Sequence, residues 1–426
     1  MVSFSFGQSP QQLEAYINGQ TADLIQLYKY YHQNPELSFE EVETAKRMAE
    51  ELRQLGFEVS TDIGGHGLVG VYKNGEGPTL MIRADMDALP IIEETGKDYA
   101  STVTKTDASG QKVGIMHACG HDMHMTVWTG TARSLIAMKD KWKGTLVFIG
   151  QPAEERSGGA KEMLADGLFE RFPRPDYALA LHVSANMAAG KVGYHPGYVM
   201  ANVDMIDITV YGKGGHGAYP HTTKDPVVLA ARLIMDFQTI VSREISPREP
   251  AVLTVGSIHG GSKGNVIPDD VKMELTIRSY TDEVRNLMVR RIEEICQGVA
   301  LSAGLEEQMY PKVEVRSEST PALFNDPKLT ARVGKVFKQV LGAERVEDAP
   351  PVMAGEDFGR YGREAPRIPI MLYWLGAVEP ELVAAAERGE IQLPSLHSSK
   401  FAPLPEPTIQ TGVLTMTSAA LELLKK

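Results

Sequence analysis

The run VGIMHACGHDMHM (Val113 to Met125) carries three of the chain's 11 histidines and one of its two cysteines. A thiolate and an imidazole two residues apart, Cys119 and His121, are good ligands for a divalent metal, and a Cys-x-His pair on a loop can face one ion. His117, His121 and His124 fall at helical intervals, so spacing alone leaves open which histidine ligates. The stretch QPAEERSGG adds Glu154 and Glu155. Adjacent carboxylates repel unless a cation sits nearby or one of them stays protonated. A metal resolves this, with one Glu as ligand and its neighbour holding and deprotonating a water. His182 closes the apolar run LALHVS, and His397 sits in PSLHSSKF. Taken singly, these residues read as helix caps, a solvated helix start or satisfied strand-end polar groups. Four such segments, all at strand ends or loops, point instead to a metal site.

The elements that must position them follow from the apolar pattern. A helix is expected from about Glu40 to Leu55, with Val42, Ala45, Met48, Ala49 and Leu52 on one face and Gly56 as the stop. The runs LVGVYK, TLMIRADMDAL, GTLVFIGQPAEE and YALALHV are short and apolar and are separated by helical stretches. That alternation predicts an α/β domain with a mostly parallel sheet covered on both faces. Ligands collect beyond the carboxyl ends of such strands, where the sequence places Asp85, Asp87, Glu154, Glu155 and His182. From about Pro196 the order changes to βαββαβ, ending in YPKVEVRSES, which is the order of a ferredoxin-like sandwich. After about Pro321 the first pattern resumes. The expected organisation is a larger domain of residues 1–195 and 317–426, with a small domain of residues 196–316 inserted into it.

Composition bounds the partners. The net charge of −12 argues against nucleic acid or an anionic membrane surface, both of which reward clustered Lys and Arg. No apolar run approaches the ~18 residues that a membrane-spanning helix needs. The start MVSFSFGQSPQQLEAY lacks the basic and apolar regions of a signal peptide, and two distant cysteines make no disulfide framework. A cytoplasmic protein is expected. Cys296, at an apolar helix position, reads as core.

The segments RADMDALP, MHACGHDMH, QPAEE, LHV, GKGGHGAYPH, NVIPD and AGEDF, in this order, resemble the amidohydrolase branch of the dinuclear metallopeptidases. That branch includes hippurate hydrolases, indoleacetyl-amino-acid hydrolases and N-acyl-amino-acid amidohydrolases. The resemblance implies a two-metal catalytic domain with an inserted lid and a homodimer or higher homo-oligomer. It implies Cys119, His121, Glu155, His182 and His397 as ligands of two divalent ions, with Cys119 bridging them. Zinc or manganese is expected there, and mixed O, N and S donors also admit cobalt or nickel. Glu154 would be the general base and Asp87 would orient a ligand. His216 resembles the family's lid histidine that reaches an active site, typically the partner subunit's, while Asn265 and Arg278 resemble groups that hold a substrate carboxylate. Met123 and Met125 depart from the small or polar residues commoner beside such a histidine, and STVTKTDASGQK precedes the Cys motif as an unusual polar stretch.

The implied reaction is hydrolysis of an N-acyl amino acid to a carboxylate and a free amino acid. Two other classes compete with it. Cys119 could be the nucleophile of a thiol amidase, which leaves Glu154, Glu155, His182 and His397 without a purpose. A non-catalytic, metal-dependent binding protein would not require a second Glu placed as a base.

Overall fold

The computed structural model of the chain describes residues 9–106 and 110–425. They form two compact units, one drawn from residues 9–199, 324–350 and 357–425 and the other from residues 200–323 and 351–356. Residues 107–109 belong to the polar stretch before the Cys motif, which therefore lies partly outside the described residues.

The first unit is α/β, built on a mixed, mostly parallel eight-stranded sheet. Its strand order is Glu58–Ile63, Gly67–Asn74, Gly144–Gln151, Thr79–Asp85, Tyr177–Ala188, Ile370–Val378, Val192–Tyr194 and Val346–Asp348. The four central strands run parallel, with Asp85 opposite Gln151, Ile82 opposite Leu179 and Trp374 opposite His182. Those strands are buried nearly throughout, which is why they read as continuous Leu, Val and Ile runs rather than alternating ones. Their carboxyl ends deliver Asp85, Gln151 and His182 to the same region of the sheet edge.

Helix His121–Ala137 lies beneath this edge and packs against helices Ser9–Gln33 and Pro405–Leu423 as well as the sheet. It is buried almost all round, so no amphipathic stripe marks it. Met123 and Met125 are fully buried there and belong to the core; Trp128 anchors the helix by donating from Nε1 to the Ile82 carbonyl at 3.1 Å. Burying each such large apolar side chain stabilises the unit by roughly 1.5–3 kcal/mol. The helix expected at 40–55 spans Val42–Gln54 and buries Ala45, Met48, Ala49 and Leu52. Val42, the first residue of the helix, is exposed and off the buried face.

The second unit carries a separate four-stranded antiparallel sheet in the order Ala251–His259, Asp270–Ser279, Asn202–Tyr211, Lys312–Thr320. Helices Pro226–Thr239 and Asp282–Ser302 complete a βαββαβ run. Strand 202–211 alternates buried and half-buried residues, so Ile206, Ile208 and Val210 meet Leu229, Phe237, Met288 and Cys296 in a core of their own. Asp225 and Thr281 cap the two helices by accepting from the amides of Val227 and Val284. Among the described residues, no helix is long and apolar enough to cross a membrane.

Candidate metal centre

Cys119 and His121 are placed by a tight turn. Gly120 between them has φ +79, and a Cβ there would lie 2.5 Å from Val183 Cγ2, so glycine is required both for conformation and for space. The backbone of His397 adopts φ 63 and donates its amide to the Ala118 carbonyl at 2.9 Å, which brings a residue 278 positions away onto Cys119. Glu154 and Glu155 follow the strand Gly144–Gln151, in a turn where Ala153 has φ 50 and Ser157 φ 53.

The side chains converge. Cys119 Sγ is 3.5 Å from His182 Nε2 and 3.3 Å from His397 Nε2. Glu155 Oε1 is 3.3 Å from His397 Nε2 and 4.0 Å from His121 Nε2. Cys119, His121 and His182 form one set of possible ligand atoms within 4.8 Å of one another; Cys119, Glu155 and His397 form a second, and His121, Glu154 and Glu155 a third. His121 Nε2 and Glu155 Oε1 are buried and have no hydrogen-bond partner among the described residues. Such orphaned atoms are rare in folded proteins, and a cation would satisfy both.

Hydrogen bonds answer which histidine can ligate. His121 presents Nδ1 to the Asp87 carbonyl at 2.8 Å, and His182 presents Nδ1 to the Val183 carbonyl at 2.8 Å. A carbonyl only accepts, so both rings carry the proton on Nδ1 and turn the lone pair of Nε2 into the site. His124 is different: Nδ1 faces Asp85 Oδ1 at 2.6 Å, and Nε2 accepts from the Val183 amide at 2.9 Å. With both nitrogens engaged it is a strut, its ring centroid 4.6 Å from that of His182. His117 is buried with both nitrogens unpartnered among the described residues, and burial holds its pKa down at about 4, so it is neutral.

The electrostatics favour positive charge. Burial alone would lower the pKa of His121, but Asp85, Asp87 and Glu155 outweigh it and push the value up to about 10. Burial, then the charges of Glu155 and Glu154, hold the Cys119 thiol well above its usual range. His182 is held low by burial and by His124. The centre therefore has an excess of carboxylates around a neutral thiol and a neutral His182, and the raised value of His121 shows how strongly the site attracts positive charge. Its S, N and O donors suit a borderline divalent ion.

Several supporting residues had escaped the sequence reading. Arg83 is fully buried and donates from Nη1 to Asp85 Oδ2 at 2.6 Å, from Nη2 to Asp357 Oδ1 at 3.0 Å and from Nε to Gln151 Oε1 at 3.0 Å. It ties three segments under the site, and the signal was available: an Arg inside the apolar strand TLMIRAD must find buried partners. His32 joins Asp122 at 2.6 Å to Glu93 at 2.9 Å, all with fully buried side chains. No local pattern announces that triad, because its members lie up to 90 residues apart.

His216, Asn265 and Arg278 belong to the second unit. Exposed His216 pairs with Val266 in a two-residue bridge, and the Gly217 amide donates to the Asn265 carbonyl at 2.9 Å, so two of the three are neighbours. His216 Nδ1 accepts from the Ala218 amide at 3.0 Å, which leaves the proton on Nε2. Half-buried Arg278 donates to the Met353 carbonyl and has no carboxylate partner among the described residues.

The model of Peptidase family M20/M25/M40 matches residues 81–397. Thermostable carboxypeptidase 2 of Saccharolobus solfataricus is 35% identical over 413 residues, covering 95% of this chain and 96% of that one. Hippurate hydrolase of Campylobacter jejuni is 38% identical over 333 residues, covering 77% of this chain and 82% of that one. A crystal structure of the Bacillus subtilis YXEP protein, a dinuclear metal-binding peptidase of the M20 family, matches with a TM-score of 0.76 at 27% identity, over 96% of this chain and 99% of that one. The chain belongs to Peptidase family M20/M25/M40 and is an amidohydrolase- and carboxypeptidase-like enzyme of that family.

Proposed function

We propose that this protein hydrolyses the amide bond of N-acyl amino acids, the acyl group being acetyl, benzoyl or another aryl-acyl group, with two divalent ions per chain. The observation that carries the reading is the pair of orphaned buried atoms, His121 Nε2 and Glu155 Oε1, inside a ring of S, N and O donors. The relatives named above, a hippurate hydrolase and a carboxypeptidase, supply the substrate class. Cys119, His121, Glu155, His182 and His397 would hold the ions, zinc or manganese first and cobalt or nickel as alternatives. Bound there, such ions would supply Lewis acidity and lower the pKa of a water toward neutrality.

The protein's own groups do the rest. A Glu154 carboxylate oxygen accepts a proton from the attacking water and returns it to the departing amine, so that amide and water give carboxylate and amine. Asp87 fixes the donor atom of His121 through its main-chain carbonyl and holds the Glu155 amide at 3.0 Å through Oδ2. His216 donates from Nε2 to the developing oxyanion, in its own chain or across a homodimer. Arg278 pairs with the substrate carboxylate, which its geometry can engage through two N–H groups, and Asn265 adds a further donor. The ferredoxin-like unit that carries these three residues acts as a lid.

A thiol-amidase mechanism fits less well. A nucleophilic cysteine needs a lowered pKa, whereas burial and two carboxylates raise that of Cys119. The test is hydrolysis of hippurate and a panel of N-acetyl and N-aryl-acyl amino acids by metal-loaded protein. Activity that disappears on chelation and returns with metal supports the reading. Chelator-insensitive turnover blocked by thiol alkylation would replace it with the thiol mechanism.

A further inference from the structure

Glu41 is fully buried although it is an acid, and burial pushes its carboxyl up to about 8, with no ion pair to offset it among the described residues. Acidic side chains are almost never fully buried without a partner. The hydrogen bond that leaves its own segment reaches across 112 residues, where Oε1 accepts from the Ala153 amide at 2.7 Å. Ala153 directly precedes Glu154 and has φ 50, a left-handed conformation that an alanine adopts only when its surroundings impose it.

The imposing contacts are on both sides of Glu154. Before it, Glu41 holds the amide of Ala153; after it, Asp87 Oδ2 holds the amide of Glu155 at 3.0 Å and is itself held by Ser38 Oγ at 2.6 Å. The Ala153 carbonyl accepts from the amides of Gly158 and Gly159, closing the turn. Glu41 is in turn rigid. Its carbonyl accepts from the Ala45 amide in the first turn of helix Val42–Gln54, and the Glu36 carboxylate accepts from the Thr44 and Glu43 amides of the same turn.

We propose that Glu41 is a positioning residue for the reaction, its buried carboxyl oxygen clamping the Ala153 amide so that the strained turn presents Glu154 as base beside Glu155 as ligand. The proposal rests on the reading of Glu154 as the base. Its physical content is that an acceptor oxygen is needed at Glu41, and that the need arises because residue 153 is an alanine in a conformation natural to glycine.

Four variants of the full, metal-loaded chain test it: Glu41→Gln, Glu41→Leu, Ala153→Gly and the double Glu41→Leu/Ala153→Gly. Glu41→Gln keeps an acceptor oxygen and should stay within about threefold of the parent kcat. Glu41→Leu should lose roughly 10–100-fold in kcat, as expected for a displacement of about 1 Å at the reacting group, with KM and bound metal unchanged. Ala153→Gly alone should change little. In the double variant glycine reaches the required φ unaided, and kcat should recover to within about tenfold of the parent. Should Glu41→Leu not fold, Glu41→Asp, which withdraws the acceptor by one methylene, takes its place. Full kcat in folded Glu41→Leu, equal loss in Glu41→Gln, or no recovery in a folded, metal-loaded double variant overturns the proposal. Glu154→Gln is assayed beside them. If it is active, the base assignment fails; if it is inactive while Glu41→Leu is intact, only the clamp fails.

Discussion

The two units hold their candidate functional histidines in opposite ways. In the first, His121, His182 and His124 are buried and each has a ring nitrogen fixed by a main-chain carbonyl, a carboxylate or an amide. In the second, His216 is exposed and held by one amide two residues away. The difference follows from what each would meet. A cation must be caged by donors whose tautomers and directions are set in advance, because reorganising buried polar groups is costly. A donor to a developing oxyanion needs only a defined proton and freedom to approach. The contrast teaches that a rigid centre and an adjustable one are separable by mutation: changes in the first should move metal binding or the chemical step, and changes in the second should leave the metal alone.

The largest effect separates the base from the cage. Glu154→Gln should reduce turnover by roughly 10²–10⁴ while both ions stay bound. Steady-state kinetics beside metal analysis checks this; substantial residual activity, or metal lost with the activity, removes Glu154 from that role. Next comes the adjustable centre. His216→Ala should cost ~10²–10³ in kcat with metal content untouched. If the histidine serves a partner's site, mixing His216→Ala with Glu154→Gln subunits should restore activity, because one complete site is rebuilt. Full activity of His216→Ala alone would erase the distinction between the two regions.

A smaller effect probes how firmly the rigid centre is built. Burial lowers the pKa of His32, but hydrogen bonds to Asp122 and Glu93 outweigh it and raise the value to about 9. A raised folded-state pKa gives stability that is fully present below the unfolded value near 6.5 and lost as pH rises through about 9. The stability difference between the parent and His32→Gln, on the order of a few kcal/mol near neutrality, should therefore shrink between pH 7 and 10. A pH-independent difference in denaturant titrations would show that His32 is not charged. Smallest is Arg278→Ala, which should lower kcat/KM for carboxylate-bearing substrates by roughly tenfold to a hundredfold, the worth of one charged hydrogen-bonded pair. An equal loss on substrates lacking the carboxylate would place Arg278 in packing instead.

Much of this was legible before any coordinates. Continuous apolar strands such as TLMIRAD and TLVFIGQ are what a two-sided parallel sheet requires, and the alternation in IDITV is what a one-sided antiparallel sheet requires, so the two sheets differ in the sequence itself. Cys119, its neighbouring histidines, Glu154, Glu155, His182 and His397 stand out as candidates because ligand chemistry is local to each residue type, and the family resemblance narrows them to Cys119, His121, Glu155, His182 and His397. What spacing could not give was direction. His117, His121 and His124 share a helical interval, and only the partners of each ring nitrogen tell a pointed lone pair from a strut. Arg83, His32 and Glu41 escaped for the same reason. Their roles are set by partners 61 to 274 positions distant that no window along the chain can contain.

The central claim is that this cage holds two divalent ions through Nε2 of His121 and His182 and the donors of Cys119, Glu155 and His397. Equilibrium dialysis of the chelator-treated protein against zinc or manganese, followed by metal analysis, tests it most directly when the parent is compared with His121→Ala and His124→Ala. The account predicts two ions per chain in the parent, loss of an ion in His121→Ala, and affinity weakened only ~10–100-fold in His124→Ala, as for a residue that orients a ligand without being one. No stoichiometric ion in the parent, or two ions held as tightly in His121→Ala, would contradict it.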